Sequence, residues 1–176
     1  GCIYFNTNDE DCRNIYRYSP QTKKFEKLNL ETDVTSAFAL SENNPSIAAY
    51  IGQSNHNAGV AYLYDMKKKT SRLLADPMKP ILDEIELGKT EPWNFTASDG
   101  TTIQGMMCLP PNFDPNKKYP LIVYYYGGTT PTERGISNPY CAQLFASRDY
   151  VVYVINPSGT IGYGQEFSAR HVNAWG

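Results

Sequence analysis

Residues 119 to 135 read YPLIVYYYGGTTPTERG, three apolar residues running into three tyrosines, two glycines and a polar loop. Ligands of open α/β sheets bind beyond the carboxyl ends of the strands, so Tyr126, Gly127 and Gly128 hold a site position if LIVYYY is a strand. Asn156 to Gly164, after YVVYVI, hold a second one. Glycine admits positive φ and lets the backbone approach a ligand closely. A tyrosine beside it offers one aimed O–H donor, useful wherever an acyl carbonyl turns into an oxyanion. Tyrosine also favours strands on its own account, and alternation places Tyr124 and Tyr126 on one face, so packing alone is a sufficient account of all three.

For those positions to exist, the chain must build a parallel sheet. LIVYYYG is a continuous β-rich run that reads as a buried strand, NPYCAQLFASRDY has helical spacing at Cys141, Leu144 and Phe145, and YVVYVINPSG is a second buried run. Strand, helix, strand implies a right-handed parallel crossover. GQEFSARHVNAWG reads as a last helix burying Phe167, Val172 and Trp175. Upstream, WNFTAS and TTIQGMMCLP flank Asp99-Gly100, a local hairpin signal closed by Pro110-Pro111.

Residues 1 to 76 have a different character: short alternating runs broken by polar turns. IYFNT at 3 to 7 returns as IAAYI at 47 to 51, IYRYS at 15 to 19 as AYLYD at 61 to 65, and FEKL as SRLL, an offset of about 44 to 46. That period matches one four-stranded β-propeller blade of roughly 40 to 50 residues. The first copy lacks its opening strand, and fewer than two blades cannot close a ring, so the chain reads as cut from something longer. PMKPILDEIELGKTEP, with prolines at 77, 80 and 92, reads as the connection. The expected fold is therefore mixed: an incomplete blade region over 1–76, a connector over 77–92 and the first part of an α/β domain over 93–176.

Composition narrows the partners. Sixteen Lys and Arg against eighteen Asp and Glu give a net charge of −2, and no basic stripe with interleaved aromatics is present, which argues against nucleic acid. The longest apolar runs are of strand length, well below the roughly 20 residues of a membrane helix. Cys2, Cys12, Cys108 and Cys141 form no C-x-x-C and have no metal-like spacing to His56 or His171, so neither a metal nor a cofactor is expected. They read as buried free thiols, with a Cys2–Cys12 bridge across one turn as the alternative in an oxidising compartment.

The stretch LPPNFDPNKKYPLIVYYYGGT, followed by QLFASRDYVVYVINPSGTIGYGQEF, resembles the prolyl oligopeptidase family of serine peptidases, and within it the dipeptidyl peptidase IV branch. The resemblance covers 90–176 in motif detail and 1–76 in architecture, because that family places a propeller before an α/β hydrolase domain. It implies that Tyr126 donates its phenolic proton to the oxyanion of the tetrahedral intermediate, with a backbone N–H as second donor. Tyr124 and Tyr125 remain core. In the family's N-x-R-G-S-x-G-Y-G segment, Asn156, Gly159, Gly162, Tyr163 and Gly164 match, but Pro157-Ser158 stands where the arginine falls. Tyr163 reads as part of a turn that seats the next helix.

The family's nucleophile sits on G-x-S-x-G, followed in chain order by an acid and a histidine. No serine here fits: Ser54 has Gly52 but His56, Ser137 has Gly135 but Pro139, and Ser158 lies between Asn156 and Thr160. His56 and His171 precede any nucleophile in that order. The expectation is an internal piece of a dipeptidyl-peptidase-like serine exopeptidase, inert by itself, whose substrate is a peptide. The resemblance also implies a homodimer and a periplasmic, secreted or cell-surface setting for the whole protein. A non-catalytic scaffold on the same fold, or an esterase, are the alternatives. Half a hydrolase sheet would leave an open strand edge, so edge-to-edge self-association is expected of these 176 residues alone.

Overall fold

The computed structural model describes residues 1–137 and 140–174. Strict alternation at the start builds strands. β1 (Ile3–Asp9), β2 (Cys12–Ser19) and β3 (Lys24–Lys27) form an antiparallel meander, with Glu10 and Asp11 as the tight turn after the Asp9–Cys12 pair. β4 (Val34–Leu40), β5 (Ile47–Ser54), β6 (Asn57–Asp65) and β7 (Thr70–Ala75) form a second, four-stranded meander. The sequence repeat is thus β1–β3 onto β5–β7, and β4 is the strand without a counterpart. One parallel backbone pair, Arg13 with Val34, joins the two groups, and the Arg13 N–H donates to the Asp33 carbonyl at 2.9 Å.

Along β5, alternate residues Ala48, Tyr50, Gly52 and Ser54 turn inward. Tyr50 and Tyr64 are buried with Ile15, Leu28 and Ala48, and Tyr4, Phe38 and Tyr62 close over them. Tyr50 stacks on Tyr62 at 5.1 Å, and Tyr4 on Phe38 at 5.7 Å across the two groups. Each such ring contributes about 1.5–3 kcal/mol by burial, so this aromatic layer holds the first sheet together. The Tyr50 hydroxyl is also satisfied, sharing a 2.7 Å hydrogen bond with the Ser71 hydroxyl and accepting the Glu31 N–H at 3.0 Å.

A single helical turn, α1 (Lys79–Leu82), leads to β8 (Thr90–Pro92), the edge of a second sheet. β9 (Phe95–Thr96) and β10 (Thr102–Ile103) form the expected hairpin, its turn held by Asp99, whose carboxylate accepts the Thr101 N–H at 2.9 Å. The run after that turn is not one strand. It breaks at Gln104, and β11 (Gly105–Cys108) leaves the hairpin to pair antiparallel with β8 and with β13 (Val151–Ile155). β12 (Leu121–Tyr125) pairs parallel with β13, and α2 (Ala142–Ala146) lies between them in sequence, so the crossover is present. The sheet order is β12-β13-β11-β8. Cys108, Ala146 and Val152 form its small core, with Ile122 and Phe145 against it.

Four expectations need correction. LIVYYY is an edge strand and not a buried one: Leu121, Val123 and Tyr125 are about half exposed because no described residue covers that face. Tyr125 is therefore not core, and Tyr124 is only half buried. The last helix is the single turn α3 (Gln165–Ala169), which buries no residue; Val172 is exposed, and Trp175 lies outside the described residues. Leu144 points to solvent on α2, whose buried residue is Ala146. Finally, all four cysteines are free, but Cys2 is exposed, Cys12 and Cys141 are half buried, and only Cys108 is buried. Burial pushes the Cys12 and Cys108 thiols up to about 11, so both stay protonated at neutral pH. No helix among the described residues is long and apolar enough to cross a membrane.

Candidate active site

Tyr126 is the first residue past the carboxyl end of β12 and is half exposed. The strand's alternation puts it on the same side as Tyr124, and both face a cleft of about 380 Å3. Residues of the following loop, Thr130 and Glu133 among them, and Arg13 and Gln53 from the first sheet also line it. The cleft is thus built by both sheets. Tyr124 also packs against the Tyr140 ring at 5.0 Å, while the Tyr126 hydroxyl makes no hydrogen bond among the described residues and is free to donate into the cleft.

The two glycines after Tyr126 do not serve alike, and neither has positive φ. A Cβ on Gly128 would come within 2.5 Å of the Tyr126 ring, whereas one on Gly127 would meet nothing within 4 Å. Gly128 is required for close approach: the ring folds back over its own backbone.

The loop from 129 to 137 is held at several points. Asn156, just past β13 and buried, accepts the Thr132 N–H at 2.7 Å and donates to the Thr132 carbonyl at 3.3 Å and the Tyr163 hydroxyl at 2.9 Å. The Ile161 N–H donates to the Thr129 carbonyl at 2.8 Å. These contacts explain the match over Asn156 to Gly164: the segment braces the loop, and burial raises the Tyr163 phenol far above its ordinary range, so it stays neutral. Gly162 accepts the Glu10 N–H at 3.0 Å, and a Cβ there would lie 2.9 Å from the Glu10 carbonyl, so only glycine lets the two sheets meet.

Two crossed ion pairs tie the same loop to the first sheet. Arg134 donates from Nε and Nη2 to Asp11 at 3.0 and 2.6 Å, and its N–H donates to the Asp11 carbonyl at 2.9 Å. Arg13 donates from Nε and Nη2 to Glu133, both at 2.8 Å, and Asn8 adds a third donor to Glu133 at 3.1 Å. Asp11 is buried, so its pair is the drier one. Burial alone would lower the Arg134 pKa, but the Asp11 hydrogen bonds and charge outweigh it and raise it, leaving the guanidinium fixed as a cation. Ser137 and Ile136 finish the seam, donating to the Gln53 side chain and to the Ser54 carbonyl.

Tyr126 was the only residue of this cleft marked by sequence. Asp11, Arg13, Gln53, Glu133 and Arg134 gave no signal, because partners 120 and 123 positions apart carry no local pattern. Neither His56 nor His171 lines the cleft. His171 packs on Gly159 near α3. Among the described residues, no cluster of His, Cys, Asp and Glu is arranged to hold a metal ion.

No family model matches the chain. Among curated proteins it is similar to the probable dipeptidyl-peptidase 5 of Aspergillus terreus, 43% identical over 77 residues, which are 43% of this chain and 11% of that protein. It is also similar to dipeptidyl-peptidase 5 of Porphyromonas gingivalis, 31% identical over 110 residues, or 62% of this chain and 16% of that one. The chain thus spans 11% to 16% of the length of these relatives. Among solved structures, the acylaminoacyl peptidase of Pyrococcus horikoshii superposes with a TM-score of 0.79 at 23% identity, over 97% of this chain and 26% of its own. The fold is shared with solved peptidases.

Proposed function

Because this chain belongs to the prolyl oligopeptidase family of serine peptidases, we propose that it is part of an exopeptidase of the dipeptidyl-peptidase type, in which Tyr126 stabilises the oxyanion. The observation that carries this is the free Tyr126 hydroxyl at the carboxyl end of β12, open to a cleft that both sheets line. The organisation that goes with it is a blade region over 1–76, a connection over 77–92 whose last strand β8 joins the second sheet, and a hydrolase part over 93–176.

In that reaction a serine Oγ bonds to the peptide carbonyl carbon and yields its proton to a histidine, and the carbonyl π electrons move onto oxygen. Serine, histidine and acid come from outside the 176 residues, in the family's chain order. Tyr126 and a backbone N–H donate to the oxyanion more strongly than to the ground-state carbonyl, which is what accelerates the step. Collapse reforms the carbonyl, breaks the C–N bond and passes the histidine proton to the leaving amine.

The partner of the cleft is a peptide, and the setting a periplasmic, secreted or cell-surface one, which fractionation of cells expressing the complete protein checks. The decisive experiment is Tyr126→Phe in the complete protein. The expected result is a kcat lower by about a hundredfold with KM little changed, the pattern of a donor that acts in the transition state. An unchanged kcat overturns the assignment.

A further inference from the structure

We infer that the crossed pairs Asp11–Arg134 and Arg13–Glu133 are positioning elements for Tyr126, so that the first sheet sets the aim of the phenol. This rests on the oxyanion role proposed above.

Tyr126 is half exposed, its hydroxyl has no hydrogen-bond partner among the described residues, and its ring rests against Gly128. The ring's direction therefore follows the backbone of Gly128. That backbone opens the loop whose far half, residues 133–137, is fastened to the first sheet: Glu133 to Arg13 and Asn8, Arg134 to Asp11, Ile136 to Ser54 and Ser137 to Gln53. The near half is held to its own sheet at Thr129 and Thr132. Two bidentate pairs of opposite polarity also fix register, because a slip of the loop by one residue would bring Glu133 toward Asp11 in one direction, or Arg134 toward Arg13 in the other. Arg13 and Glu133 line the cleft beside Tyr126, which puts one pair within the site itself.

A residue that acts through Tyr126 loses its effect when the hydroxyl is removed, and a residue that only stabilises the fold does not. The test is a double-mutant cycle on kcat in the complete protein: Asp11→Asn, Tyr126→Phe and both together. Asp11→Asn is expected to lower kcat by about tenfold with intact Tyr126 and by less than about twofold in the Tyr126→Phe background. Exchanging the partners, Asp11→Arg with Arg134→Asp, is expected to restore most of the loss. Equal losses in both backgrounds overturn the inference while leaving the role of Tyr126 standing; no loss from Tyr126→Phe overturns the reading beneath it. If Asp11→Asn does not fold, Glu133→Gln is taken through the same cycle, with the same two outcomes.

Discussion

The Tyr126 ring stands where a side chain on Gly128 would begin: a β-carbon there would lie 2.5 Å from ring Cε1 and 3.1 Å from the phenolic oxygen. Contacts that short do not persist, and the exposed ring yields before the backbone does. Gly128→Ala is expected to leave the fold intact and to lower kcat by about ten- to a hundredfold, because displacing a catalytic group by about 1 Å has that effect. Gly127→Ala, with open space around it, is expected to stay near wild type. Steady-state kinetics on the two variants decides it; equal losses would refute the distinction.

The two crossed pairs should differ in their contribution to stability. Arg134→Ala strands the buried Asp11 carboxylate and is expected to lower unfolding free energy by about 3–5 kcal/mol. Arg13→Ala removes a partner that is about a third exposed, and Glu133 keeps its Asn8 donor, so about 1 kcal/mol is expected. Urea denaturation of both variants gives the comparison, and a reversed order would refute it.

Asp33 supplies a pH dependence. Burial pushes its carboxyl above the ordinary range, and the Arg134 charge pulls it only partly back. A carboxyl whose folded-state pKa is raised stabilises the fold at low pH and loses that contribution as pH rises through the folded value. Asp33→Asn is therefore expected to be at least as stable as wild type at pH 7, with the advantage closing near pH 4, about where unfolded aspartate titrates. Urea midpoints at the two pH values test this; an advantage that grows on acidification would contradict it.

Among the described residues β12 has a neighbouring strand on one side only, and Leu121, Val123 and Tyr125 are exposed along it. Open edges of this kind recruit further strands. A polypeptide of these 176 residues is expected to self-associate at micromolar concentration, and a lysine at Val123 to reduce the association. Sedimentation velocity showing a clean wild-type monomer would count against it.

The strands of the first sheet were legible because their side chains alternate and their motif recurs, and the crossover from β12 to β13 because both runs are unbroken. LIVYYY looked buried for the same reason, yet its exposure depends on what lies outside the strand, which composition does not record. The short α3 shows the related limit: spacing at Phe167 and Val172 suggested a longer helix, but the chain turns after Ala169 and leaves Val172 in solvent. At the site, Tyr126 was legible because strand ends are predictable places for ligands. Asp11 and Arg134 were not, because a turn acid and a loop arginine look like ordinary surface charges until the fold brings them together.

Arg13 links three parts at once. Its own strand β2 belongs to the first strand group, its N–H donates to the Asp33 carbonyl to make the pair with Val34 that joins the second group, and its guanidinium grips Glu133 on the cleft loop. Mechanically, this makes it a three-way junction. Both contacts load this one residue, so under force the seam between the two strand groups and the loop should give way in one event and not in succession.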